Sequence, residues 1–159
     1  MKKYLKFASV GLAIIGVIMM FFTQVVVQWG SGAKETIGVQ ALVGGSYPYL
    51  KTEFYGVGAG LAGYILLAAG AVVVLLTVLV PYIREHDILS MVITGVGVIC
   101  LIIGTILLFL IRKTFADTNG LVDPVVVYVG WGAIAGGSLG SLAAAAGALG
   151  MVFDLAGNN

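Results

Sequence analysis

Four long stretches of this chain contain no charged residue. The eight basic and seven acidic side chains all fall outside residues 7–33, 54–83, 88–111 and 124–153. At about 1.5 Å per residue, a helix over any of these stretches is long enough to cross the roughly 30 Å hydrocarbon core of a bilayer. With 60% apolar and only 9% charged residues, the chain also has too little polar surface for a soluble domain. The charge pattern therefore predicts an integral membrane protein.

The predicted fold class is all-α integral membrane, an antiparallel four-helix transmembrane bundle in a single membrane domain over residues 1–159. Pro81 closes the second span, because a proline ring disrupts a continuing helix. Asp123 followed by Pro124 has the pattern of an N-cap and a first-turn proline, which predicts the start of the fourth helix. The expected spans are residues 7–29, 56–80, 88–111 and 125–153, with outer loops at 30–55 and 112–124 and an inner loop at 81–87.

The first segment has two possible interpretations. Lys2, Lys3 and Lys6 followed by an apolar run describe a secretory signal peptide as well as a first transmembrane helix. The apolar run is longer than a typical signal core, and Ser31-Gly32-Ala33 is a weak and late cleavage site, so we expect an uncleaved anchor.

The flanking lysines also bear on the orientation of the chain. The basic residues divide equally between the two sides of the membrane, so their number does not fix the orientation. The cluster of N-terminal lysines then predicts cytoplasmic N- and C-termini. An opening Met-Lys-Lys before an apolar run resembles bacterial membrane proteins. The expected location is therefore a bacterial plasma (inner) membrane, with the lipid bilayer as the first partner of the chain.

Small residues recur at four-residue spacing in the second and fourth spans. In lipid, helices associate by close approach through such residues, because there is little hydrophobic drive between them. Two interpretations remain open: packing inside the bundle of one monomer, or a face for neighbouring subunits in a homo-oligomer or a membrane complex. The candidate residues are Gly56, Gly60, Gly63, Gly132, Gly136, Gly137, Gly140 and Ser141.

The first outer loop is the largest element outside the membrane. Ile37, Val39, Ala41 and Val43 alternate with other residues, and after glycines comes an aromatic segment that ends at Tyr55. This pattern predicts a small β-hairpin, which alone is marginally stable and should be supported by the second outer loop, lipid headgroups or another subunit. The aromatic candidates form either an interfacial belt or a partner-binding surface, and they are Trp29, Tyr47, Tyr49, Phe54 and Tyr55.

This layout resembles the claudin-type tetraspan proteins. The likeness consists of four spans, cytoplasmic ends, a longer β-forming first outer loop, a shorter second loop and Trp29 just after the first span. It implies side-by-side polymerisation through outer-loop strands, with adhesion or barrier formation. The family signature combines a tryptophan with two cysteines in the first loop, and this loop has no cysteine. No residue role is therefore carried over from the family.

Patterns that carry chemistry are scarce. His86 is the only histidine and Cys100 the only cysteine, whereas a metal site usually needs three or four converging ligands. The chain has no phosphate-binding glycine loop with its lysine and no nucleophile elbow. The charge-free stretches also offer no intramembrane carboxylate for proton coupling. We therefore expect no enzymatic activity, no catalytic or metal-binding residue, no cofactor and no nucleic-acid partner.

Two functions of different classes fit these observations. The first is a non-catalytic scaffold subunit that self-associates through small-residue helix faces and meets a partner through its aromatic outer loop. The second is an oligomeric channel or transporter subunit for ions or small neutral solutes, in which Thr94, Thr105, Ser138 and Ser141 would line a narrow polar path.

Overall fold

A computed structural model describes residues 2–47 and 49–156, without the side chains of residues 2 and 84. Most of the described chain is helical, and four helices are long and apolar enough to cross a membrane. In chain order the elements are α1 (Lys2–Ile18), β1 (Val25–Gln28), β2 (Lys34–Ile37), α2 (Gln40–Val43), β3 (Gly45–Ser46), β4 (Glu53–Phe54), α3 (Gly58–Leu79), α4 (Pro81–Glu85), α5 (Asp87–Phe109), α6 (Ile111–Thr118), β5 (Val126–Val129) and α7 (Trp131–Ala156).

The four long helices form a square bundle, as predicted. Helices α1 and α5 occupy opposite corners, and each packs against both α3 and α7. Very close contacts between helices occur at glycines. At Gly104 of α5 an added Cβ atom would lie 2.7 Å from the carbonyl oxygen of Gly63 in α3. Fully buried Leu67 and Leu101 fill the space between these helices in the middle of the bundle.

Two of the helix boundaries differ from the prediction by more than five residues. The first helix ends near Phe21 rather than at residue 29, and residues 25–28 form β1. The fourth begins at Trp131 rather than at residue 125, and the segment before it forms β5. Asp123 and Pro124 therefore lie in a turn and do not start a helix. The physical reason is the run of β-branched valines in both segments, which is apolar enough for a span but prefers extended backbone.

A three-stranded antiparallel sheet with the strand order β2-β1-β5 covers the end of the bundle that carries the two predicted outer loops. We call this end the outer end and the opposite one, which carries the N-terminus, the inner end. The central strand β1 follows the first helix, and β5 comes from the second outer loop, so the sheet joins both loops. Val25 pairs with Ile37 on one side and with Val129 on the other. The predicted support of the first loop by the second takes this form.

The predicted hairpin exists but lies further along the loop than expected. Strand β3 pairs with β4, Gly45 opposite Phe54 and Ser46 opposite Glu53. The alternating segment from Ile37 to Val43 is not a strand of this hairpin: Ile37 ends β2, and the residues from Gln40 onward form the short helix α2. The alternation of apolar residues in this segment could not distinguish a strand from a short helix, because the segment is too short for its periodicity to indicate one or the other.

Candidate functional site

Aromatic side chains form the core beneath the outer sheet. Trp29 and Tyr47 meet edge to face, with ring centroids 5.3 Å apart, and the ring of Tyr47 lies 4.8 Å from that of Phe54. Phe54 in turn lies 5.7 Å from Phe115 of α6. The structure thus brings three of the predicted outer-loop residues together as packing partners. Such ring pairs add stabilisation beyond the apolar area that they bury.

The other two predicted aromatic residues point outward. Tyr49 is 63% exposed and Tyr55 is 76% exposed. The backbone of Tyr55 is nevertheless held in place, because its N–H donates to Asn119 Oδ1 at 2.7 Å and its carbonyl accepts from Asn119 Nδ2 at 3.1 Å. Asn119 belongs to the second outer loop, so this exposed tyrosine is presented by contacts between the two loops.

An acidic side chain interrupts the inner face of the sheet. Glu35 of β2 points to the same side as Ile37 and the inward-facing valines of β1, and it is buried. One carboxylate oxygen, Oε1, accepts a hydrogen bond from the backbone N–H of Tyr49. The other oxygen, Oε2, is buried without a hydrogen-bond partner among the described residues. A buried carboxylate on an otherwise apolar face is unusual, because burial of an unpaired charge is costly.

A buried glutamine connects the sheet to the bundle. Gln24 Nε2 donates to the carbonyl oxygens of Met19, Met20 and Phe22, at the place where the first helix ends and carbonyl groups run out of helical partners. Its Oε1 accepts from the hydroxyl of Tyr64 in α3 at 2.8 Å. Gln24 thus closes the outer end of the first helix and fixes it against the second membrane helix.

Most of the predicted small-residue positions pack within the chain itself. An added Cβ atom at Gly132 would lie 2.8 Å from Met19 O, at Gly136 3.1 Å from Tyr64 Oη, and at Gly140 2.5 Å from Thr105 Oγ1. The same atom at Gly137 would meet the ring of Phe109. Ser141 is exposed, and its Oγ donates to the carbonyl of Gly137 at 3.0 Å.

The glycines at the start of the second span behave in the same way. Gly56 lies before α3 and packs against the loop backbone, where an added Cβ atom would approach the Gly44 nitrogen to 2.4 Å. At Gly60 the neighbours would be Leu42 and Ile111, and at Gly63 they would be Gly104 and Leu108.

The four hydroxyl residues of the hypothetical polar path do not share a surface. Thr94 and Thr105 are buried inside the bundle, whereas Ser138 and Ser141 are exposed on its outer side. Thr94 donates to the Ser90 carbonyl at 2.7 Å, which satisfies its hydroxyl locally.

An ion pair is buried at the inner end of the bundle. Lys6 Nζ lies 2.6 Å from Asp154 Oδ2 and donates to Ser90 Oγ at 2.8 Å. The lysine and aspartate side chains are 5% and 3% exposed. The helices extend beyond the charge-free stretches, so the candidate spans Lys3–Phe21 and Trp131–Ala156 each contain one partner of this pair. The predicted spans begin at residue 7 and end at residue 153, so each partner lies one position outside its predicted span but inside the helix that the structure forms.

Sequence reasoning missed Glu35, Gln24 and the Lys6–Asp154 pair. Gln24 had a detectable signal, since a carboxamide within an apolar stretch requires hydrogen-bond partners. Glu35 had none, because its inward direction depends on the register of β2 against β1. Comparison with known proteins adds no further site: no family model matches the chain, and neither a curated protein nor a solved structure matches it.

Proposed function

We propose that this protein is a non-catalytic scaffold subunit of a membrane assembly, which self-associates through its outer sheet. The observation that carries the proposal is the folded sheet itself, which ends in the open edge of β2. An unpaired strand edge is a template for pairing with another chain. The likeness of layout to claudin-type proteins adds the expectation of side-by-side assembly through outer-loop strands.

The register of β2 against β1 identifies which backbone N–H and C=O groups of β2 point away from β1. The N–H of Trp29 donates to the carbonyl of Ala33 at 2.9 Å, and Val27 faces Glu35 in the same ladder. In an antiparallel pair, hydrogen-bonded and non-hydrogen-bonded positions alternate. The backbone groups of residues 33, 35 and 37 therefore point toward β1, and those of Lys34 and Thr36 point away from it. Both Lys34 and Thr36 are exposed.

Exposed apolar side chains near this sheet provide further contact area. Tyr49, Leu50 and Tyr55 are all more than two-fifths exposed and belong to the first outer loop, while Val122 of the second loop is 74% exposed. Aromatic residues are enriched in protein interfaces, where they supply large contact areas. These side chains are our candidates for the surface that meets a partner.

The interior of the bundle supports a scaffold more than a conducting monomer. Leu67 and Leu101 are fully buried at its centre. Gly70 and Gly97 bring α3 and α5 close together, because an added Cβ atom at either would lie about 3 Å from the carbonyl oxygen of the other. The hydroxyls of Thr77 and Thr94 lie between this layer of packed leucines and glycines and the inner end of the bundle. A polar path through one chain would have to cross these leucines.

The scaffold proposal predicts that proline at Thr36 weakens self-association. Proline removes the open N–H and places its ring along the edge, yet it leaves the pairing of β2 with β1 intact, since edge strands accept proline where the N–H faces away from the sheet. We expect association in lipid vesicles to weaken by about tenfold or more, the effect of one or two lost backbone hydrogen bonds. Energy transfer between labelled copies at fixed protein-to-lipid ratios measures it.

The matched control is Thr36→Val, which keeps the backbone donor and should associate like the wild type. Two results would contradict the proposal. One is a Thr36→Pro protein that is folded and associates normally. The other is a wild-type protein that stays monomeric at every density tested.

The proposed location is a bacterial plasma membrane with cytoplasmic termini and the sheet outside. This orientation rests on the N-terminal lysines. In a Cys100→Ala background, a membrane-impermeant maleimide should label Lys51→Cys in intact cells and Glu85→Cys only after lysis. Both positions are exposed, on opposite ends of the bundle. The reverse labelling pattern would overturn the orientation.

A further inference from the structure

Three polar side-chain atoms under the outer sheet are buried without a hydrogen-bond partner among the described residues: Trp29 Nε1, Tyr47 Oη and Glu35 Oε2. The indole and the phenol meet edge to face. The carboxylate is tied to the same turn, because its other oxygen accepts the N–H of Tyr49, two residues after Tyr47. We call these three atoms the outer polar trio.

Two of the three residues that carry the trio are deeply buried and the third is partly exposed. Tyr47 is 4% exposed and Glu35 is 7% exposed, whereas Trp29 is only partly buried. Burial, and next the negative charge of Glu35, raise the pKa of Tyr47 to about 12, which keeps its hydroxyl proton in place. The trio therefore consists of two hydrogen-bond donors, the indole N–H and the phenol hydroxyl, and one acceptor, the carboxylate oxygen. The partly exposed indole ring connects the trio to the protein surface.

Buried polar groups in folded proteins are almost always hydrogen-bonded, to protein or to a bound molecule. The donor and acceptor count restricts what the bound group can be. A cation would suit the carboxylate but would leave both donors unsatisfied. An anion would suit the donors but would be repelled by Glu35.

A hydroxyl group has the donor and acceptor capacity that the three atoms require. Its oxygen has two lone pairs, which accept from Trp29 Nε1–H and from the Tyr47 hydroxyl, and its own proton is donated to Glu35 Oε2. We propose that the outer polar trio is a binding site for one hydroxyl oxygen, either of a water molecule or of an alcohol or sugar that enters past Trp29. This site is independent of the proposed self-association through β2.

A double-mutant cycle tests the site without knowledge of the ligand. Tyr47→Phe removes only the phenol oxygen, and Trp29→Phe removes the indole N–H while keeping an aromatic ring. These two polar atoms do not bond to each other, although the two rings touch, so coupling larger than the coupling of two touching rings requires a group that bridges the polar atoms. We expect each single variant to lower the free energy of unfolding. We expect the coupling between the two substitutions to correspond to a change on the order of tenfold in the unfolding equilibrium constant.

The control cycle combines Tyr47→Phe with Phe54→Leu. Phe54 also touches the Tyr47 ring but carries no polar atom, so this cycle measures the coupling that ring contact alone produces. If the Trp29–Tyr47 cycle shows no more coupling than this control, or if Tyr47→Phe alone is as stable as the wild type, the trio binds no hydroxyl and the proposal is overturned.

A second measurement identifies the source of the hydroxyl and does not depend on stability. The chain has two tryptophans, so Trp131→Phe leaves Trp29 as the only indole fluorophore. In phosphatidylcholine nanodiscs, free of sugar-headed detergent, glucose or glycerol should shift the Trp29 emission in a saturable way if an alcohol occupies the site. The shift should be lost in Tyr47→Phe, and trimethylamine N-oxide at equal osmolarity should not produce it. Coupling in the cycle without this response assigns the oxygen to water.

Discussion

Replacement of Lys6 by methionine is expected to lower the free energy of unfolding by about 3–5 kcal/mol. The substitution removes the cation of the buried Lys6–Asp154 ion pair, and loss of one member of a buried pair is strongly destabilising. It also removes the donor to Ser90 Oγ. Reversible unfolding in mixed micelles, followed by circular dichroism, measures the loss.

The paired variant separates the charge effect from loss of packing. Lys6→Met combined with Asp154→Leu removes both charges, and it should recover stability to within about 1 kcal/mol of the wild type, since apolar replacements of buried ion pairs are often neutral or better. Lys3→Met, at an exposed lysine of the same helix, is the single-site control and should be nearly silent. Equal losses in the single and the paired variant would show that the ion pair itself is not what stabilises this end.

The second large effect is expected at Gly104, where α5 approaches α3 most closely. In Gly104→Ala the new Cβ atom would stand 2.7 Å from the backbone carbonyl oxygen of Gly63, and a backbone atom cannot rotate away. The two helices must separate, and such overpacking typically costs about 1–3 kcal/mol. The same unfolding measurement applies.

Gly95 gives a matched control on the same helix. An added Cβ atom there would meet Met151 Sδ at 3.6 Å, which is an ordinary contact with a flexible side chain. Gly95→Ala should therefore lose no stability, and it can gain up to about 1 kcal/mol from the better helix propensity of alanine. If both variants lose the same amount, the loss comes from helix backbone effects and not from the contact between α3 and α5.

The four spans were predictable because ionisable groups are excluded from the hydrocarbon, and that exclusion is visible in a one-dimensional sequence. The helix ends were not, because the valines of β1 and β5 have the same hydropathy in a strand as in a span. Asp123 and Pro124 showed the same ambiguity, since both residue types favour turns as well as helix starts.

The outer core was predictable in composition but not in arrangement. An aromatic loop rich in tyrosine indicated an interaction surface, yet Tyr47 and Phe54 pack inward while Tyr49 and Tyr55 point outward. That division depends on pairings made with distant residues, notably Phe115 and Asn119 of the second loop. The pairing of Lys6 with Asp154 is the extreme case, since 148 positions separate the two residues.

Helices α1 and α7 are joined at both ends of the bundle, by the pairing of β1 with β5 at the sheet end and by the pairing of Lys6 with Asp154 at the opposite end. The consequence concerns the order in which the chain is made. When α5, the third membrane helix, leaves the ribosome, β1 has not yet paired with β5 and Lys6 has not yet paired with Asp154. Both contacts form only after residues 126–154 have been made, so closure of this bundle follows synthesis of that segment and depends on contacts of long sequence separation. Chains released before that segment would expose β1 to other strands.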